Sequence, residues 1–321
     1  MSYWAKKRLL VTGGAGFIGR NLVEALRAAG CRNLTVARSA DYDLTRENEV
    51  VRLLEDSRPE VVFHLAGYVG GILANKERPA DFFYRNLMMG TLLIHHASRL
   101  RVEKLVAAGA GCGYPEHAPV PLREESFWDG YPQKESAPYS LAKRMLIVQA
   151  EAYYRQYGFV SVVGVPGNVY GPHDNFDLYQ AHVIPALVRK FVEAVEDGAG
   201  ELVVWGSGRP ARDFVYVGDV ARGLLLAGER YAEPRLVNLS SGVDTSVREV
   251  VDALTELTGF RGRVVWDTTK PDGQLRRVFD ITRARRELGY EPQVDLKEGL
   301  RRTVEWYRAH RGQLVGGRVY A

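Results

Sequence analysis

Apolar residues recur along the first half of the chain in two alternating rhythms. Short apolar runs at 8–12, 34–37 and 61–66 have the length of buried strands, and between them 17–29 and 50–54 repeat at helical spacing. The alternation continues with a helix near 86–100, a strand at 104–108, a helix at 139–157 and a strand at 159–165. Strands that are apolar throughout belong in a parallel sheet covered on both faces, so the pattern predicts an α/β, Rossmann-type doubly wound fold. Beyond Gly171 the rhythm loosens into Gly- and Pro-containing loops, with helices at 183–195, 217–226, 247–257 and 296–310 and a short strand at 202–205. No repeat, low-complexity tract or polar linker separates the halves. The expected organisation is a dinucleotide-binding domain over 1–171 and a smaller α/β substrate lobe over 172–321, interwoven with it.

Composition narrows the class without identifying it. A chain of 321 residues, 46% hydrophobic and 26% charged, has the balance of a soluble globular protein. Its 43 basic and 39 acidic residues are dispersed, so nothing points to a nucleic-acid arm or a membrane-binding patch, and a net charge of +4 suits an anionic ligand only weakly. No apolar run reaches bilayer length. The run after the N-terminal lysines is too short for a secretory signal. Cys31 and Cys112 are far apart and form no CxxC, which argues against a disulfide framework and for a reducing cytoplasm. No metal is expected: His173, Asp174 and Asp177 lack ligand spacing, and His95-His96 has no partner motif.

The chemistry begins at the first turn, where strand 8–12 runs into Gly13-Gly14-Ala15-Gly16-Phe17-Ile18-Gly19. A GxxGxxG turn between a strand and an amphipathic helix lets backbone N–H groups approach a pyrophosphate at the helix N-terminus, which makes Gly13, Gly16, Phe17, Ile18 and Gly19 cofactor-binding candidates. At the end of the second strand, where an acidic residue would hold ribose hydroxyls, the chain has Arg38. An arginine there favours a 2′-phosphate, hence NADP(H) over NAD, with Asp43-Leu44 in a loop that frames the adenine. Tyr139 and Lys143 stand four residues apart on one helical face. The ammonium is expected to lower the proton affinity of the phenol, which can then exchange a proton with a carbonyl or alcohol during hydride transfer.

A glycine turn followed at this distance by YxxxK resembles the extended short-chain dehydrogenase/reductases. Within that superfamily the chain is similar to the GDP-L-fucose synthases, which epimerise and then reduce a GDP-4-keto-6-deoxy sugar. The matching stretches are 69–75 with 79–82, 139–145, 171–176 with 182–187, 204–208, 270–273 and 288–306. The resemblance implies an NADPH-dependent 3,5-epimerase/4-reductase of a GDP-4-keto-6-deoxyhexose, a homodimer without nucleic-acid or membrane partners. It implies Cys112 as epimerase base and His182 as acid, Tyr139 and Lys143 for reduction, and Ala66, Pro166 and His182 along the cofactor. It also assigns Asn168, Val183, Lys190, Trp205, Arg212 and Lys270 to the nucleotide sugar.

One position departs from the pattern. Extended family members place Ser or Thr four residues before the aromatic of this loop, to hold the sugar's C4 oxygen; here that residue is Ala110, followed by Gly111. The departure keeps two alternatives open: a nucleotide-sugar epimerase with bound NAD(P) and no net redox, acting on a heptose or other modified sugar, and a non-catalytic NADP-binding protein. A smaller departure is Gly167, where the family more often has Thr.

Overall fold

The computed structural model describes residues 3–270 and 272–319. Pro271, which the 270–273 match includes, and the side chains of Ile72 and Leu73 lie outside the described residues.

Each apolar run of the first half forms a strand: β1 (Arg8–Thr12), β2 (Asn33–Ala37), β3 (Val61–His64), β4 (Lys104–Ala108) and β5 (Val160–Pro166). Further along the chain come β6 (Asn168–Tyr170), β7 (Glu201–Trp205), β8 (Ala211–Arg212), β9 (Phe214–Tyr216) and β10 (Arg235–Leu239). The last three are β11 (Thr245–Ser246), β12 (Arg263–Asp267) and β13 (Arg276–Arg277). Six of these build one parallel sheet in the order β10-β5-β4-β3-β1-β2.

The sheet is double-faced because alternate residues point opposite ways. Leu9 and Val11 enter one core beneath α1 (Phe17–Ala28), while Leu10 enters the other beneath α2 (Glu47–Ser57). α3 (Ile72–Glu77) leads into α4 (Pro79–Arg99), which packs along α5 (Ala137–Tyr157) on the α2 side. α4 begins earlier than the apolar period suggests, since Pro79 at its first turn presets a helical φ and needs no hydrogen-bond partner for its nitrogen.

Past β5 the chain builds α6 (Val183–Glu196), then α7 (Val217–Arg230), α8 (Val247–Thr258), α9 (Thr282–Leu288) and α10 (Leu296–His310). α6, α8 and α10 surround a separate core of Phe191, Leu254, Leu300 and Val304, flanked by the β7–β12 pair. α7 and α9 instead return to the first lobe: α7 packs on α1, and Val220, Leu224, Ala227 and Leu288 complete the core beneath it. β10 closes the large sheet beside β5. The strands at 235–239 and 263–267 have no clear signature in the sequence pattern.

At the C-terminal edge of the sheet the strand order reverses between β1 and β3. Such a switch point opens a crevice, and the segments after β1, β3, β4 and β5 all empty into it.

Candidate active site

The glycine turn is tight enough to require its glycines. Gly13 has φ 72°, and a β-carbon there would lie 2.5 Å from the backbone nitrogen of Ala66, across the switch point. A β-carbon at Gly19 would lie 2.1 Å from the carbonyl oxygen of Gly13. The Gly16 N–H donates to that same oxygen at 3.0 Å, and Gly16 caps α1 without a side chain. The first-turn N–H groups, those of Phe17 and Ile18 among them, therefore face the crevice uncapped, a setting that suits an anion. Arg38 is exposed just past β2. Asp43 is exposed and accepts hydrogen bonds from the Thr45 N–H at 3.0 Å and hydroxyl at 2.7 Å. Leu44, expected beside it at the adenine, is buried in the α2-side core, so its side chain packs the fold.

Tyr139 and Lys143 occupy successive turns of α5, close enough to Cys112 after β4 for their charges to interact. Tyr139 stays partly open to solvent though heavy atoms pack around it, and its ring meets Phe82 edge-on at 6.2 Å. The expected lowering of the phenol by Lys143 is not what the structure gives. Burial pushes Tyr139 up, and the charge of a nearby Cys112 thiolate pushes it further. Burial also brings Lys143 down to about 8, partly offset by Cys112. Beneath them His64 of β3 shares a 2.8 Å hydrogen bond with Thr12, and burial together with Lys143 lowers its imidazole to about 3, so it is neutral.

Cys112 sits in a single 3₁₀ turn, Gly111–Gly113, directly after β4. Two guanidinium groups fix that turn: Arg277 donates to the Gly111 carbonyl at 2.6 Å and Arg144 to the Gly113 carbonyl at 2.7 Å. Burial raises the Cys112 thiol, while Ser140, Arg277 and Lys143 pull it down. Tyr139, Lys143 and Cys112 thus converge. His182 does not join them: it is the N-cap residue of α6 in the second lobe, open to solvent at its rim, and none of the described hydrogen bonds or charge interactions ties it to Cys112 or Tyr139. Burial and Arg318 hold its imidazole below the ordinary histidine range.

The two departures have structural counterparts. Ala110 is 8% exposed and has no hydroxyl to offer, and a β-carbon at Gly111 would come within 2.8 Å of the Phe279 ring, so a serine does not fit there unless that ring moves. At Gly167 a β-carbon would lie 1.9 Å from the Ser240 hydroxyl, so Ser240 fills the space a threonine would take. Pro166 lies beside Gly111, its carbonyl oxygen 3.3 Å from the same β-carbon position.

Most of the nucleotide-sugar candidates lie on or beside the second lobe. Trp205 ends β7 with 65% exposure, so it is not a core residue. The Lys190 and Lys270 ammonium groups approach its ring at 5.4 and 5.5 Å, and Lys190 also donates to the Val203 carbonyl at 3.2 Å. Val183, at the start of α6, is 42% exposed. The Asn168 amide nitrogen donates to the Asp213 carbonyl at 3.2 Å. Arg212 is half-buried on β8, and its guanidinium is destabilised by burial and then by the like charge of Arg277. Two cations held close at the crevice suit a diphosphate. Among the described residues no group of three or more His, Cys, Asp or Glu is placed to hold a metal ion. No helix of the described residues is long and apolar enough to cross a membrane.

Sequence reasoning missed Ser140, Arg144 and Arg277. Ser140 had a signal in its position next to Tyr139; the arginines had none, because their partners lie 31 and 166 residues away.

Residues 9–240 match the model of the NAD dependent epimerase/dehydratase family. The chain is 39% identical over 300 residues to GDP-L-fucose synthase 1 of Arabidopsis thaliana, covering 94% of this chain and 93% of that protein. It is 36% identical over 321 residues to GDP-L-fucose synthase of Escherichia coli K12, covering 97% and 100%. A solved GDP-L-fucose synthetase from Naegleria fowleri bound to NADP superposes with a TM-score of 0.89 at 28% identity, covering 97% of this chain and 96% of that one. The resemblance read from the motifs is borne out.

Proposed function

The chain belongs to the NAD dependent epimerase/dehydratase family, and from that premise we propose that it is an NADP(H)-dependent 3,5-epimerase/4-reductase of a GDP-4-keto-6-deoxyhexose, as the GDP-L-fucose synthases are. The observation that carries this reading is the convergence of Tyr139, Lys143 and Cys112 where α5 meets the turn after β4. The glycine cradle fits a dinucleotide, since β-carbons at Gly13 or Gly19 would close it. Gly13, Gly16, Phe17, Ile18 and Gly19 bind the pyrophosphate, Arg38 the 2′-phosphate, Lys143 the ribose hydroxyls, and Ala66 and Pro166 line the path. NADPH, when bound, supplies the hydride that reduces C4.

The remaining chemistry belongs to side chains. The 4-keto group acidifies the protons at C3 and C5; the Cys112 thiolate removes one, leaving an enolate on the C4 oxygen. His182 returns a proton from the second-lobe side with inversion. Tyr139 then gives its proton to the C4 oxygen as the alcohol forms. Arg212 neutralises the diphosphate, Trp205 stacks on the base with Lys190 and Lys270 beside it, and Asn168 and Val183 face the sugar. Exposed Phe83, Tyr84 and Val148 on α4 and α5 give a homodimer an apolar surface. Both cysteines are free thiols, which suits a reducing cytoplasm.

The test is NADPH absorbance with GDP-4-keto-6-deoxymannose in deuterated water, with exchange at C3 and C5 read by mass. NADPH consumption matching product, with deuterium uptake, is expected. A second reading, epimerisation without net redox, is favoured by Ala110 alone. Uptake with no NADPH consumed would establish it, and neither signal would remove both.

A further inference from the structure

Serine and threonine within helices often turn their hydroxyl onto the carbonyl four residues back. Ser57, Thr255, Thr258 and Thr303 do so here, at 2.6, 2.8, 2.7 and 2.7 Å. Ser140 of α5 does not. It is fully buried, its hydroxyl has no hydrogen-bond partner, and α5 packs against the turn that carries Cys112, whose thiol Ser140 pulls down. A hydroxyl rotor can turn its proton onto whichever neighbour accepts most strongly, and a thiolate accepts far better than a thiol. The turn opposite it is already held, by Arg277 at the Gly111 carbonyl and Arg144 at the Gly113 carbonyl, so the sulfur has a fixed place to meet that proton.

We propose that Ser140 is the positioning residue of the epimerase base: its hydroxyl donates to the Cys112 thiolate and holds the sulfur at the sugar proton it removes. The inference rests on the reading of Cys112 as that base. In the step, sulfur takes the proton from C3 or C5, the C–H electron pair passes to the C4 oxygen, and the Ser140 hydroxyl keeps its own proton throughout. The other ionisable groups facing the sulfur are Arg277 from β13 and Tyr139 and Lys143 from α5. Removing the serine leaves all three in place. Burial of the thiol opposes ionisation, so a lost donor shows directly in the thiol's titration.

The experiment compares the parent protein with Ser140→Ala by iodoacetamide alkylation across pH, reading the Cys112 peptide by mass so that Cys31 does not interfere. The alkylation midpoint is expected to rise by about one pH unit, a roughly tenfold slower reaction at pH 7, with a similar fall in deuterium exchange at C3 and C5. An unmoved midpoint in cooperatively folding Ser140→Ala overturns the proposal. If alanine costs the fold, Ser140→Cys keeps the volume with a weaker donor and carries the same expectation. Cys112→Ala separates the two readings. Exchange that survives it overturns the base assignment and the proposal with it, whereas exchange lost there with an unmoved Ser140→Ala midpoint overturns the proposal alone.

Discussion

On the first-lobe wall of the crevice, Tyr139, Lys143 and Cys112 sit deep enough that burial is the largest influence on the proton affinity of each. On the second-lobe wall, Trp205 and Lys270 lie open to solvent, and Lys190 reaches out to the same indole. The difference is physical. Moving a proton at a chosen carbon needs groups whose charge water does not screen, whereas recognising a nucleotide needs area and charge that water can leave as the ligand arrives. Substitutions on the first wall should therefore alter turnover, and those on the second should alter KM and its salt dependence.

The largest effect is expected at Tyr139. Without the phenolic proton, reduction in Tyr139→Phe should fall about 10²–10⁴-fold in kcat, the usual worth of a positioned proton donor. Exchange at C3 and C5 should persist, because the thiol and imidazole remain. Stopped-flow NADPH oxidation beside mass-detected exchange checks both, and loss of exchange together with reduction would show that the two chemistries are not separable on this wall.

Arg212 comes next and sharpens the contrast between the walls. It is half-buried, and hydrogen bonds to charged groups in such places are worth about 1.5–3 kcal/mol, so Arg212→Gln should raise KM about 10–100-fold with kcat nearly kept. Lys190→Ala, beside an exposed indole, should cost about 0.2–1 kcal/mol, at most a fewfold in KM, and the cost should vanish at high salt. Equal, salt-independent losses at both residues would break the contrast.

How much of this was legible follows from distance along the chain. The glycine turn and the Tyr139–Lys143 pair could be read because their chemistry is a spacing within one or two turns. The thiol's surroundings could not. Arg277 reaches Gly111 from 166 residues away, and Phe279, which blocks a side chain at Gly111, comes from the same distant strand region. Ser240 fills the space at Gly167 in the same manner. β10 escaped notice because its apolar run is short, starting only after Arg235 and interrupted by Asn238. Asn238 is nonetheless fully buried, donating to the carbonyls of Leu122 and Asp280 at 3.0 Å each and accepting from the Tyr114 hydroxyl at 2.7 Å. Leu44 belongs to a loop read as framing the adenine, and what the sequence left open is that its apolar side chain fills the core, where it loses water.

The last test asks whether burial in a loop of the second lobe perturbs a charge in the same way. Asp174 is 4% exposed in the loop after β6; one carboxylate oxygen accepts the Asn175 N–H at 2.7 Å, and the other is buried with no hydrogen-bond partner. Burial raises this carboxyl to about 7 from the usual 3.8, against the pull of Asn175 and Arg318. Between those values the folded protein holds a proton that the unfolded chain has released. Stability conferred by the raised carboxyl is therefore complete below about 3.8, declines as pH rises through the window, and is lost above about 7. Asp174→Asn keeps the shape without the charge. Its melting temperature should match the parent's at pH 4 and exceed it by about 10 °C at pH 8, since a rise from 3.8 to about 7 is worth about 4 kcal/mol and each kcal/mol about 2–4 °C. A difference independent of pH would mean that Arg318 pairs with a carboxylate that stays charged, and that burial outside the crevice does not act as it does on Tyr139 and Lys143.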